Sequence, residues 1–388
     1  MKVDAYILSA ASLLSGYGGE VPFAGWLKEY FRKEKKFGSR DRRMVGTLCY
    51  AFFRLGGLFA GRPVEERIAL GWLLTERDPA SPLWTWKPEW ASLAGRSSTE
   101  RLAAIDPAAD PMAIFPLHHH LSPEIDAPQF AVAHLAQPTV FLRLRPGQEQ
   151  SVKDSLVGAQ IPFTEINESC VAVPQGSKVD TVIQLDREAI VQDLSSQRVL
   201  EPLMKALPVS QKFTLWDCCA ASGGKSIVAW DHWSDLQLTA TDIRESILHN
   251  LRQRFRRAGI TSYQSYVADV AAAGFKSQRR YDAVLCDAPC SGSGTWGRTP
   301  EQLTYFPESR VAHYTDLQLR IAANAARALR PGGFLLYSTC SVFSAENEGV
   351  VAQLQQHTDL ELRSMRYYKG YYQRADTLFA ALFVKRES

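Results

Sequence analysis

Residues 213–233 read FTLWDCCAASGGKSIVAWDHW, a short apolar run ending in Asp217, a loop of small residues, and a helix-like stretch from Lys225. Small residues between a strand end and a helix start let a ligand approach the backbone, where free N–H groups and the helix dipole favour negative charge. A phosphate-binding loop of the G-x-x-x-x-G-K type needs glycine at 219, which is Cys219, and no G-x-G-x-x-G is present. Outward from this loop, strand-like and helix-like segments alternate at 213–218, 225–233, 236–242, 245–258, 263–268, 281–287, 312–330, 333–339 and 345–357. Such alternation predicts an α/β fold, a doubly wound and mostly parallel sheet.

The next two strands end in acids, Asp242 after Leu236–Thr241 and Asp269 after Tyr263–Ala268. An acid at a strand's C-terminal end can accept hydrogen bonds from a ribose diol. A lone aspartate there also serves as a turn former or helix cap. Two acids and a small-residue loop on successive strand ends suit an adenosyl ligand, and S-adenosylmethionine is the expected cofactor.

Strand 281–286 then leads into Asp287-Ala288-Pro289-Cys290-Ser291-Gly292-Ser293-Gly294, and strand 333–338 into Thr339-Cys340-Ser341. Cys290 and Cys340 thus fall just past strand ends, on the rim where open α/β sheets bind ligands. Cys286 lies inside its strand, where a cysteine is usually inert packing.

Asp217–Ser226, Asp287–Gly294 and Ser338–Asn347 resemble successive motifs of the NOP/Sun family of RNA cytosine carbon-5 methyltransferases, most closely its bacterial Sun/RsmB-type members. The resemblance covers about residues 190–386, including Val191–Gln197 and Asp376–Lys385. It implies a class I, Rossmann-like methyltransferase domain and an enzyme that makes 5-methylcytosine in RNA, ribosomal RNA first and transfer RNA second. Cys340 is implied as the nucleophile, Cys290 as the group assisting product release, and Asp287 as a hydrogen-bond partner of the pyrimidine edge. Cofactor contacts are implied at Cys219, Ala220, Ala221, Ser222, Gly223, Gly224 and Lys225, with Asp242 at the ribose, Asp269 near the adenine and Asp287 between cofactor and base. Lys225 has the alternative of facing the substrate. The family usually has proline where this chain has Ser222, and Arg298-Thr299-Pro300-Glu301 follows its basic segment only loosely.

The 388 residues divide by texture into a helical region 1–116, a linker 117–138 that Pro107, Pro111 and Pro116 before it argue to be extended, a small α+β region 139–205 and the catalytic region 206–388. Residues 28–43 carry Lys28, Arg32, Lys33, Lys35, Lys36, Arg40, Arg42 and Arg43, a density that can hold a phosphate backbone or form a solvated helix face with local ion pairs. Gly38–Arg43 resembles the early segment of the helical RNA-binding regions of Sun/RsmB-type proteins. The Arg-rich stretch 244–257 is expected to pack on the sheet with its arginines outward. The tryptophans Trp72, Trp84, Trp86 and Trp90 suit core packing or base stacking. Contiguous His118, His119 and His120 cannot all face one metal from a regular helix or strand, so a surface loop and no metal site are expected.

A formal charge of +3 leaves any nucleic-acid contact to local patches. Composition excludes bulk disorder and collagen. Seven irregularly spaced cysteines suggest reduced thiols. No apolar run approaches the roughly 20 residues of a membrane span, and the start lacks a secretory signal. The expectation is a cytoplasmic, monomeric enzyme without a membrane partner.

Overall fold

Strand residues after Phe213 alternate between two apolar layers, and this alternation builds the central sheet. In the computed structural model, which describes residues 2–210 and 212–387, Leu215 and Leu285 point into one buried cluster while Trp216, Val284 and Cys286 point into the other. Successive side chains of a strand face opposite sides, so a strand covered on both faces must be apolar throughout. Each fully buried Leu or Val contributes roughly 1.5–3 kcal/mol. Trp216, wholly buried, keeps its indole N–H satisfied by the Thr241 hydroxyl at 3.0 Å.

The chain separates into two compact units. One comprises Thr139–Gly294 and Ser309–Ser388. Its small sheet has β1 (Val140–Leu144), β2 (Thr164–Asn167), β3 (Cys170–Val173) and β4 (Ala189–Val191) in the order β2-β3-β1-β4, all antiparallel, with helix Glu149–Gly158 beside them. Its large sheet contains β5 (Phe213–Asp217), β6 (Leu236–Asp242), β7 (Tyr263–Val267), β8 (Tyr281–Asp287), β9 (Leu329–Thr339), β10 (Leu360–Lys369) and β11 (Thr377–Lys385).

The order is β10-β11-β9-β8-β5-β6-β7, with β5 to β9 parallel and β11 antiparallel to both its neighbours. Counted within the sheet this is 3-2-1-4-5-7-6, the class I methyltransferase arrangement. Strand order reverses between β5 and β8, so their C-terminal ends flank the crevice where such sheets bind ligands.

The other unit comprises Met1–Pro138 with Thr295–Glu308. Helices Val3–Ser15, Phe23–Lys33, Ser39–Arg54, Val64–Thr75 and Ser98–Ile105 enclose a core that includes Leu48, Phe53, Ile68 and Leu73. Segment 295–308 lies inside the stretch read from sequence as catalytic, and buried polar anchors tie it to this unit. The Arg54 guanidinium, 5% exposed, donates to the carbonyls of His134, Ala136 and Gly297. The Glu301 carboxylate, 1% exposed, accepts from the Phe23 N–H at the start of its helix. Buried charges demand such partners, and this placement supplies them.

Residues 117–138 are not extended. Asp126 caps helix Ala127–Ala133, with proline in its first turn, and Phe130 packs edge-on against Phe115 at 5.1 Å. Residues 118–120 form a 3₁₀ turn in which the Nε2 atoms of both His119 and His120 meet Glu308 Oε1, at 2.9 and 2.8 Å. Glu308 is remote in sequence, so no local pattern announces that convergence. Trp72 is buried and stacks on Trp86, so core packing accounts for it.

Candidate active site

The loop after β5 is shaped by two residues in the left-handed region, Ala221 at φ 45° and Gly223 at φ 81°. A Cβ at Gly223 would come within 2.6 Å of the Phe255 ring, so only glycine fits beneath the helix Glu245–Arg257. Ala220 N–H bonds the Thr241 carbonyl at 2.8 Å, and Ala221 N–H bonds Asp242 Oδ2 at 3.1 Å. Asp242, buried at the end of β6, also accepts from the Arg244 N–H at 3.0 Å. It both shapes the glycine loop and retains acceptor capacity. Asp269, just past β7, is exposed and accepts from Ala271 N–H, a turn-forming contact.

Asp217 carries no site role in the sequence reading, and the structure makes it conspicuous. It is 1% exposed, its Oδ2 takes the Ser226 hydroxyl at 2.6 Å, and its Oδ1 has no partner among the described residues. Burial pushes its carboxyl up to about 7, against the opposing Ser226 hydrogen bond. An orphaned buried acceptor beside a helix N-terminus suits a ligand carrying a cationic amino group. S-adenosylmethionine has one, along with a ribose diol for which Asp242 is an acceptor, so the residues present fit this cofactor.

Across the crevice, Asp287 ends β8. Its Oδ2 receives Lys225 Nζ at 2.6 Å and its Oδ1 the Ser338 hydroxyl at 2.8 Å. Burial works against the Lys225 charge, but the Asp287 carboxylate more than offsets it and raises the ammonium above its ordinary value. Lys225 therefore turns toward the Asp287 side of the crevice. Cys340 follows β9 and Cys290 follows Asp287, and their sulfurs lie 3.3 Å apart, both half-buried. Contact with the Cys340 sulfur, with burial added, holds the Cys290 thiol well above its usual value, so Cys290 keeps its proton.

The two cysteine loops are locked by one buried carboxylate. Glu346 Oε2 accepts from the Ser291 N–H and from Gln318 Nε2, both at 2.9 Å, and Oε1 from the Ser341 hydroxyl at 3.1 Å. Asn347 accepts the Thr339 hydroxyl at 2.6 Å and donates to the Ser341 carbonyl at 2.9 Å. Both residues lie inside the quoted 338–347 stretch. Gln318, mid-helix, carried no sequence signal. Cys286 is fully buried in its strand, as its position suggested. The Arg-rich helix departs from expectation: Arg254 and Arg257 do not simply face solvent but bind the buried carboxylate of Asp186. Arg298 belongs to segment 295–308 and hence to the helical unit.

This geometry coincides with a family assignment. The family described as 16S rRNA methyltransferase RsmB/F matches over residues 204–379. Residues 204–379 thus resemble a methyltransferase domain of the RsmB/F family. The ribosomal RNA small subunit methyltransferase B of Xanthomonas campestris pv. campestris is 36% identical over 170 residues, 43% of this chain and 38% of that protein. A probable ribosomal RNA small subunit methyltransferase B of Bacillus subtilis is 29% identical over 240 residues, 59% of this chain and 52% of its own. The chain thus spans about half, or less, of the length of these curated relatives.

Among solved structures, a methyltransferase homolog from Pyrococcus horikoshii superimposes with a TM-score of 0.57 at 22% identity, covering 79% of this chain and 100% of the other. NSun6 from the same organism, solved with SFG, gives 0.58 at 13% identity, covering 70% and 97%. These likenesses bear on the fold alone. The matched family is S-adenosylmethionine-dependent, in agreement with the cofactor expected from the strand ends. Among the described residues no helix is long and apolar enough to cross a membrane.

Proposed function

We propose that the chain is an S-adenosylmethionine-dependent RNA cytosine-5-methyltransferase acting on ribosomal RNA. One observation carries the reading: two half-buried thiols 3.3 Å apart, on adjacent loops beside the Lys225–Asp287 pair, at the crevice rim. A simple methyl transfer to an amine or hydroxyl uses no pair of thiols. Carbon 5 of cytosine does require a nucleophile, because the ring must first be made electron-rich.

When bound, S-adenosylmethionine supplies an electrophilic methyl group on a sulfonium. The Cys340 thiolate forms a bond to carbon 6, and the electron pair of the 5,6 double bond moves into the ring, making carbon 5 nucleophilic. Asp287, tied to Lys225 and Ser338, accepts a hydrogen bond from the pyrimidine edge and stabilises its protonated form, so that the incoming electron pair is neutralised as the thiolate adds. Carbon 5 takes the methyl group and the sulfonium leaves as a neutral thioether. The carbon 5 proton then passes to water, its bonding pair restores the 5,6 double bond and the Cys340 sulfur leaves as thiolate, a release that Cys290 assists from 3.3 Å.

Names of the relatives support ribosomal RNA as substrate. Lys28, Arg32, Lys33, Lys35, Lys36, Arg40 and Arg43 are exposed, which supports a phosphate-binding face in the helical unit. Arg32 and Lys36 also pair with Glu29 and Glu34, weak surface pairs that a phosphate can displace. The test is transfer of labelled methyl to unmodified ribosomal RNA, transfer RNA and assembled small subunits, with mapping of 5-methylcytosine. Label at one cytosine of small-subunit RNA supports the reading. Label in transfer RNA alone redirects the substrate, and no label with any of the three overturns it.

A further inference from the structure

Ser222 sits between Ala221 at φ 45° and Gly223 at φ 81°. A non-glycine residue in the left-handed region persists only where its surroundings hold it there. Asp242 holds the Ala221 N–H, and two hydrogen bonds from Arg254 hold the residue that follows it. Its Nη1 donates to the Ser222 carbonyl at 3.1 Å and to the Ser222 hydroxyl at 3.0 Å, gripping main chain and side chain together. The same atom is the nearest polar neighbour of a Cβ built on Gly224, at 3.8 Å, so the guanidinium lies against the loop where the helix begins.

Arg254 is itself fixed. Its Nε donates to Asp186 Oδ1 at 2.9 Å, and the other carboxylate oxygen takes Arg257 at 2.7 Å. Asp186 is 5% exposed and stands at φ 68°, a second strained non-glycine residue. Its own backbone is bonded on both sides, N–H to the Ala189 carbonyl at 2.8 Å and carbonyl to Arg145 Nη1 at 3.2 Å. Asp186 precedes β4, so the small sheet reaches the glycine loop through one carboxylate and one guanidinium.

We propose that Asp186 and Arg254 are positioning residues for the cofactor loop. They hold Ser222 by a side-chain clamp where a proline at the same position would hold it by its ring. The Ser222 N–H makes no hydrogen bond among the described residues, so a proline there removes none. The small sheet thereby becomes part of the cofactor site. The inference rests on the reading of residues 219–225 as the cofactor loop.

The test uses the full chain and S-adenosylhomocysteine as calorimetric probe, with wild type, Arg254→Ala, Arg254→Lys, Asp186→Asn and Arg254→Ala/Ser222→Pro. Lysine lacks the fork that reaches both Asp186 and Ser222, so it gives little rescue. Arg254→Ala and Asp186→Asn weaken binding at least tenfold while the KM for RNA stays within about twofold, and adding Ser222→Pro to Arg254→Ala recovers most of the loss. If Arg254→Ala does not fold, Arg254→Lys and Asp186→Asn carry the same comparison. Binding equal to wild type in the folded variants overturns the clamp. A loss that Ser222→Pro leaves untouched overturns the loop as its target. Wild type that binds no S-adenosylhomocysteine overturns the methyltransferase reading, and the clamp with it.

Discussion

Replacing Glu346 separates the charge of this buried carboxylate from its geometry. Its two oxygens accept three hydrogen bonds and it is wholly buried. Glutamine can rotate so that its carbonyl oxygen faces the Ser291 N–H and Gln318 Nε2, while its NH₂ faces the Ser341 hydroxyl, which also accepts. Only the charge assistance is lost, about 1–1.5 kcal/mol for each of the two bonds the carbonyl keeps, or roughly 2–3 kcal/mol. Methionine has similar volume but accepts nothing useful. The Ser291 N–H and Gln318 amide each lose a bond to a carboxylate worth roughly 1.5–3 kcal/mol, so the expected cost is about 3–6 kcal/mol.

Thermal unfolding of the two variants reads this difference. At roughly 2–4 °C per kcal/mol for a unit of this size, Glu346→Met should melt at least about 6 °C below wild type and further below it than Glu346→Gln. Ser291 adjoins Cys290 and Ser341 adjoins Cys340, so methyl transfer should fall much further in the methionine variant. A methionine variant as stable and as active as the glutamine variant refutes the view that this carboxylate locks the two thiol loops.

Lys225→Met leaves Asp287 without its cation and should lower kcat by about 30- to 1000-fold, corresponding to roughly 2–4 kcal/mol, as measured by steady-state methyl transfer. Because the pair raises the Lys225 pKa, its contribution to stability is present throughout the neutral range. It is lost only as pH climbs beyond the ordinary lysine value of 10.5, which a melting series in alkali checks. Asp217 has its pKa raised to about 7, so between the unfolded value near 4 and 7 the folded state binds more protons than the unfolded. Stability therefore falls with rising pH across that window, and a melting series should show the slope flattened in Asp217→Asn. Gly294→Ala drives a methyl group into the Thr377 carbonyl and to 2.9 Å from the Cys340 carbonyl, and should cost about 1–3 kcal/mol in denaturant titration with loss of activity.

The parallel half of the large sheet was legible because its strands are apolar on both faces and separated by helical periods. Strands β10 and β11 escaped that alternation. β10 is an edge strand with mostly exposed side chains, and β11 is a continuous apolar run that lacks a helix before it. Asp242, Asp287, Cys290 and Cys340 could be read from position alone, since each closes or follows a strand. Asp217 does so too, but its missing partner and raised pKa arise from burial, which spacing does not express. Arg254, Asp186 and Gln318 act across sequence separations of dozens of residues. The same long-range logic assigns segment 295–308 to the helical unit, where Glu301 caps a helix that begins at Phe23.

The most direct test of the account is a covalent one. Cys290→Ala and Cys290→Ala/Cys340→Ala proteins are each incubated with unmodified small-subunit RNA and S-adenosylmethionine, then run on a denaturing gel. The single variant should yield a slow-migrating protein–RNA species that nuclease digestion removes, because Cys340 forms its bond to carbon 6 and cannot be released. The double variant should yield none. An adduct that survives loss of Cys340, or methylation retained by Cys340→Ala alone, would contradict the assignment of Cys340 as the nucleophile.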